Sequence, residues 1–87
     1  MTAKSSETLS LSTLVSQRLE AFFESQLHSL PVNLYDIIIE QVEHPLIVQT
    51  LKITQGNQIK AAEILGINRN TIRKKIKLFN IDPSIYK

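Results

Sequence analysis

The sequence predicts an all-α protein of four helices that forms a homodimer and ends in a helix-turn-helix. Apolar residues recur at spacings of three and four, the period of an amphipathic helix rather than of a strand. A Gly turn separates the last two helices, and each of them follows an Asn suited to an N-cap. The second helix is apolar around more than half of its circumference, and a single neighbouring helix cannot cover that much surface.

These patterns divide the 87 residues into four segments. We expect a short flexible arm over residues 1–9, two dimerisation helices over 10–56, a helix-turn-helix unit over 57–82 and a tail over 83–87. Residues 1–10 lack the apolar core of a signal peptide, and no apolar run is long enough to cross a membrane. Together with the absence of Cys, this favours a cytoplasmic location.

The first helix is expected over residues 10–29, where Pro31 prevents it from continuing. Asn33 is a suitable N-cap for a second helix, which should run to about Thr54 with Gly56 in the left-handed C′ position. Pro45 lies inside this helix and removes one backbone hydrogen bond. Because apolar residues resume immediately after it, we expect a kink rather than a break.

Two apolar triplets in the second helix, at residues 37–39 and 46–48, predict how the chain completes its core. A chain this short buries a limited fraction of its surface alone, so a second copy is the economical partner for residues 10–54. The alternative is that the triplets line an intramolecular four-helix core.

The third and fourth helices have the layout of a helix-turn-helix. Asn57 and Asn68 are suited to cap them, Gly66 ends the third helix, and Ile67 is expected to fill the turn as an apolar plug. The inward faces are predicted from helical spacing: Ile59, Ala62 and Leu65 on the third helix, and Ile72, Ile76 and Phe79 on the fourth.

Charge is distributed unevenly along the chain. Residues 57–78 carry six cations against the single carboxylate of Glu63, a net charge of +5, whereas residues 1–56 carry a net charge of −3. A cationic helix-turn-helix predicts a polyanionic partner, specifically double-stranded DNA. The candidate DNA-binding residues are Asn57, Lys60, Asn68, Arg69, Asn70, Thr71, Arg73, Lys74, Lys75 and Lys77.

Side-chain chemistry separates these candidates by role. Arg69 and Asn70 lie in the first turn of the fourth helix and are suited to hydrogen bonds with guanine and adenine edges. The remaining polar and cationic residues of that helix are better suited to phosphates, and Asn57 and Lys60 to the DNA backbone. For a single Lys such as Lys75 the alternative is a solvated side chain, and for Asn68 the cap alone explains the residue.

The segment GNQIKAAEILGINRNTIRKKIK closely resembles the C-terminal signature of the Fis (factor for inversion stimulation) family. The same signature occurs in the DNA-binding domains of bacterial activators of the nitrogen-regulation (NtrC) type. Upstream, LYDIIIEQVEHPLI resembles the dimerisation helix of the family, and the resemblance covers about residues 10–82.

The resemblance implies an intertwined four-helix dimer that bends its DNA and acts as a transcriptional regulator or nucleoid-associated protein in bacteria. Carried over by position, it implies DNA contacts at Asn57, Asn68, Arg69, Thr71, Arg73, Lys74 and Lys75. Two departures stand out. Ile59 replaces a polar residue of Fis that is able to touch phosphate, and the stretch before the first helix is too short for the arms with which Fis stimulates DNA invertases.

Other classes of function are less compatible with the sequence. A protein-docking or dimerisation module of a larger activator is the main alternative, with the second helix as its interaction surface. The chain has no nucleophile–base pair and no Gly-rich phosphate loop, so we expect neither an enzyme nor a small-molecule substrate. His28 and His44 lack the spacing of a metal site, and no cofactor is expected. RNA binding lacks an aromatic platform.

Overall fold

The computed structural model describes residues 10–87, so the predicted arm over residues 1–9 lies outside the described part. Four α-helices follow one another: α1 (Leu11–Ser25), α2 (Leu34–Ile53), α3 (Gln58–Leu65) and α4 (Arg69–Leu78), with a final 3-10 helix at Pro83–Tyr86. Residues 10–87 contain no strand, in agreement with the all-α prediction. The chain divides into two compact units, one that ends at Leu34 and one that spans Tyr35–Lys87.

Helix α1 is capped by Ser10, whose hydroxyl accepts a hydrogen bond from the Thr13 N–H at 3.2 Å. It ends at Ser25, four residues earlier than predicted. The Ser25 hydroxyl and the Gln26 N–H both donate to the Phe22 carbonyl at 3.0 Å in the last turn. No residue of α1 is buried, although its apolar residues have helical spacing.

Helix α2 continues through Pro45, as predicted, and the kink itself stays a prediction. Only its C-terminal half has buried residues, namely Ile47, Thr50 and Leu51. The Thr50 hydroxyl donates to the Leu46 carbonyl at 2.8 Å, which satisfies this polar group inside the helix–helix packing.

The end of α2 differs from the prediction. Gln55, with φ +55°, occupies the left-handed C′ position, and Gly56 is the following residue, with φ +82°. The Gly56 N–H donates to the Leu51 carbonyl at 2.8 Å and the Gln55 N–H to the Lys52 carbonyl at 3.2 Å, the two bonds of a Schellman motif. Gly56 is nevertheless required, because a Cβ atom there would lie 2.5 Å from the Pro83 carbonyl oxygen.

The core of the second unit combines three helices. Its buried apolar residues, two each from α2, α3 and α4, are Ile47, Leu51, Ala61, Ala62, Ile72 and Ile76. Partly buried residues pack against this cluster: Leu65, Phe79, Ile81 and Tyr86. Tyr86 belongs to the 3-10 helix, so the segment predicted as a tail is part of the packed unit.

One predicted core position is wrong. Ile59 is 51% exposed, because the inward face of α3 centres on Ala61 and Ala62 and Ile59 lies about 100° away from it on a helix of 3.6 residues per turn. Ile67 is 36% exposed, so most of its side chain is covered, and its role as the apolar plug of the turn stays a prediction. Ala62 is buried as predicted, and the small side chains of Ala61 and Ala62 permit a close approach of the helices.

Candidate nucleic-acid interface

The turn between α3 and α4 is built from a glycine and an asparagine, as predicted. Gly66 adopts φ +73°, and the Ile67 N–H donates to the Ala62 carbonyl at 3.1 Å, which closes a second Schellman motif. The Asn68 side-chain oxygen then accepts from the Asn70 N–H at 2.7 Å and caps α4. Since no atom lies within 4 Å of a Cβ built at Gly66, glycine is needed there for its backbone angle and not for space.

Helix α4 separates an apolar face from a polar one. Ile72 is fully buried, Ile76 is buried, and Phe79 packs against the core, in agreement with the predicted inward face. The other face leaves six of the candidate residues exposed: Arg69, Asn70, Thr71, Arg73, Lys74 and Lys77. The inward residues therefore hold the helix while its cationic side faces solvent.

Helix α3 contributes its N-terminal end to the same unit. Asn57 caps the helix by accepting a hydrogen bond from the Lys60 N–H at 3.1 Å, and the Lys60 side chain is exposed. In both Asn57 and Asn68 the cap uses the side-chain oxygen, which leaves the amide NH₂ as the donor suited to a phosphate. Capping and anion contact are therefore compatible at both positions.

Lys75 differs from the other cations of α4. Its Nζ lies 2.9 Å from Oε1 of Glu43 on α2, and both side chains are half-buried. The pair lines a cleft of about 280 Å³ whose other walls are mostly apolar: Leu46, Ile47, Leu65, Ile67 and Thr71. Sequence reasoning treated Lys75 together with its exposed neighbours and missed this partner, because nothing in the local pattern connects residues 32 positions apart.

The 3-10 helix was also missed, although the sequence carries a signal for it. Asp82 precedes Pro83, which is the arrangement of an N-cap followed by proline in the first turn. The Asp82 carboxylate accepts from the Ser84 hydroxyl at 2.6 Å and from the Ser84 N–H at 3.0 Å. These hydrogen bonds hold the pKa of Asp82 below its usual value, the hydroxyl contributing most.

Other kinds of site are not formed by the described residues. Within residues 10–87, no three His, Cys, Asp or Glu side chains are grouped so as to hold a metal ion. Over the same range, none of the helices combines the length and apolar character needed to cross a bilayer.

Comparison with known proteins finds sequences that are similar to this chain among bacterial DNA-binding regulators. Residues 38–79 match the family model described as "Bacterial regulatory protein, Fis family". The chain is 42% identical over 66 residues to a putative Fis-like DNA-binding protein of Neisseria meningitidis, which covers 76% of this chain and 84% of that protein. It is 42% identical over 69 residues to the DNA-binding protein Fis of Proteus mirabilis, covering 78% and 69% respectively.

Longer relatives match as well. The chain is 44% identical over 86 residues to the DNA-binding transcriptional regulator NtrC of Rhizobium meliloti, covering 98% of this chain. It corresponds to 17% of the length of that regulator and to 15% of the matching NtrC of Azospirillum brasilense. A search of solved structures returned no match.

Proposed function

The chain belongs to the Fis family of bacterial regulatory proteins, and we propose that it binds and bends double-stranded DNA as a homodimer. Its helix-turn-helix is that of a DNA-binding regulator. The observation that carries the proposal is the two-sided character of α4, with Ile72 and Ile76 buried and a continuous cationic face exposed. A recognition helix held by one face and free on the other is suited to enter a DNA groove.

The exposed residues divide by the part of DNA that they suit. Arg69 and Asn70, in the first turn of α4, are proposed to contact base edges, where bidentate hydrogen bonds discriminate between base pairs. The proposed phosphate contacts are Asn57, Lys60, Asn68, Thr71, Arg73, Lys74 and Lys77. These contacts set affinity and register without reading sequence.

The proposed homodimer rests on apolar surface that the single chain leaves uncovered. No residue of α1 is buried, and Leu14 and Phe23 are exposed together with Ile39 and Val42 of α2. Exposed apolar surface on this scale is typical of an interaction site, and a second copy is the proposed partner that covers it. A symmetric dimer presents two α4 helices, and bending the DNA is the proposed means by which both reach a major groove.

The proposed setting is the bacterial cytoplasm, at the nucleoid. The chain spans about a sixth of the length of the NtrC regulators that it matches, and 84% of the Fis-like protein. Both a free-standing regulator and the DNA-binding end of a larger activator are consistent with these proportions. Docking of a protein partner is the second candidate function, and the uncovered apolar residues of α1 are the observation that favours it.

The test is a titration of the protein against an A/T-centred palindromic duplex and a scrambled duplex, at low and at physiological salt. We expect tight, salt-dependent binding with preference for the palindrome, and bending of the duplex measured by energy transfer between its labelled ends. Arg73→Ala should weaken binding, whereas Arg18→Ala, which removes the same charge from α1, should not.

Absence of binding to either duplex would contradict the proposal. The two candidate functions are separated by the double variant Arg73→Ala/Lys74→Ala. If DNA binding is lost while capture of a protein partner persists, docking is a distinct activity of the chain.

A further inference from the structure

The ion pair between Glu43 and Lys75 is unusual among the charged groups of this chain. It is the sole salt bridge within residues 10–87, and it connects α2 to α4 across 32 positions of sequence. The exposed fractions of the two side chains are 28% for Glu43 and 31% for Lys75. Both groups are therefore partly shielded from water and salt, unlike the cations on the outer face of α4.

The surroundings of the pair favour its persistence. Leu46, Ile47, Leu65 and Ile67 provide the apolar walls of the cleft that the two charged groups line. In such surroundings a carboxylate and an ammonium attract each other more strongly than in bulk water. Moving Lys75 to a DNA phosphate would leave the half-buried Glu43 carboxylate without its partner, and an unpaired charge in that position is costly.

Lys74 provides the contrast. It precedes Lys75 on the same helix, has the same side chain and is exposed, so contact with a phosphate would release its counterions without breaking an ion pair. If Lys75 contacted DNA, it would exchange the Glu43 carboxylate for a phosphate, and that exchange has little net electrostatic gain.

We propose that Glu43 is a positioning residue that withholds Lys75 from DNA and uses it to tie the recognition helix α4 to α2. This inference rests on the proposed DNA-binding function and refines it, because Lys75 is removed from the set of phosphate contacts that position along the chain assigns to it. Glu43 thereby lowers the number of counterions released on binding and fixes the orientation of α4 before DNA arrives.

The test is the dependence of DNA affinity on salt concentration, since the slope of log K against log salt changes by about 0.9 for each phosphate contact of a cation. Because each substitution is present in both protomers of the proposed homodimer, Lys74→Gln should reduce the magnitude of the slope by about 1.8, whereas Lys75→Gln should leave it unchanged. Glu43→Gln should increase the magnitude by about 1.8, because the Lys75 of each protomer becomes free to meet a phosphate. Glu40→Gln is the matched control, since it removes the same charge from an exposed position of α2 and should not change the slope.

A reduction by Lys75→Gln as large as that by Lys74→Gln would overturn the proposal, and so would equal effects of Glu43→Gln and Glu40→Gln. The slope reports phosphate contacts, so a general loss of stability does not imitate these results.

A second measurement needs no DNA and separates failure of this inference from failure of the proposed function. Thermal unfolding of the Glu43→Gln, Lys75→Gln and double variants forms a double-mutant cycle. We expect the double variant to lose less stability than the sum of the single variants. If the stability losses of the two single variants simply add in the double variant, Glu43 and Lys75 do not interact and this inference fails. If the losses are coupled but the wild-type protein shows no salt-dependent DNA binding, the proposed function fails instead.

Discussion

Helices α1 and α4 have similar apolar spacing and opposite environments. On α4, Ile72 and Ile76 are buried against α2 and α3, whereas α1 has no buried residue in the single chain. Helical periodicity therefore predicts that a face is apolar, but it does not identify what covers the face. For α4 the cover is in the same chain, and for α1 the proposed cover is a second copy.

The apolar face of α4 should be the most sensitive to substitution, because the same chain buries it. Ile72→Ala removes a fully buried side chain from the core and should lower the free energy of unfolding by about 2–5 kcal/mol. Leu78→Ala on the same helix, where the side chain is 61% exposed, should cost far less. Chemical denaturation of the two variants measures the difference, and equal losses would show that burial in the single chain does not govern the stability of this unit.

The uncovered side is tested by Leu14→Ser on α1. If a second copy covers Leu14, the change removes about 1.5–3 kcal/mol of apolar burial per site and should weaken the dimer at least about tenfold. Gln17→Ala, at an exposed polar position of α1, is the control. Sedimentation equilibrium measures the dissociation constant of the dimer for each variant. An unchanged dimer, or a monomeric wild-type protein, would contradict the role given to α1.

The turns at the two ends of α3 each contain a glycine with a positive φ, but only one of them is crowded. Gly66→Ala should cost about 1–2 kcal/mol, because the left-handed backbone angle is strained for alanine while space is available. Gly56→Ala should cost more, because the new Cβ atom also displaces the Pro83 carbonyl of the 3-10 helix. Urea unfolding measures the loss of stability in each variant. A smaller loss for Gly56→Ala would argue against the close packing of the 3-10 helix on this turn.

The smallest expected effect concerns Asp82, whose pKa is lowered by hydrogen bonds from Ser84. A carboxyl with a lowered folded-state pKa stabilises the fold above its unfolded pKa and loses that contribution as pH falls through the folded pKa. The stability difference between the wild-type protein and Asp82→Ala should therefore shrink below about pH 4. Melting curves at several pH values test this. A stability difference that does not depend on pH would show that the charge of Asp82 does not contribute to stability.

The parts of the fold that sequence predicts well are those with local causes. Asn57 and Asn68 cap α3 and α4 because an Asn side chain reaches a backbone N–H two or three residues later, and Gly66 ends α3 because its backbone angle is positive. The outward cationic face of α4 follows from the inward position of Ile72 and Ile76 by helical geometry.

The predictions that failed depend on contacts between distant residues. Ile59 is apolar but lies off the face that meets α2 and α4, where Ala61 and Ala62 allow close approach. The pairing of Lys75 depends on a carboxylate 32 residues away. Periodicity carries no information about these pairings, so only the folded structure identifies them.

The most direct test of the account compares Arg69→Ala with Lys77→Ala in titrations of the palindromic and scrambled duplexes. If the exposed face of α4 enters the groove with its first turn against the bases, Arg69→Ala should cost about 1–3 kcal/mol on the preferred duplex and reduce the preference for it. Lys77→Ala should weaken binding to both duplexes alike. Unchanged affinity in both variants would contradict the claim that α4 is the surface that meets DNA.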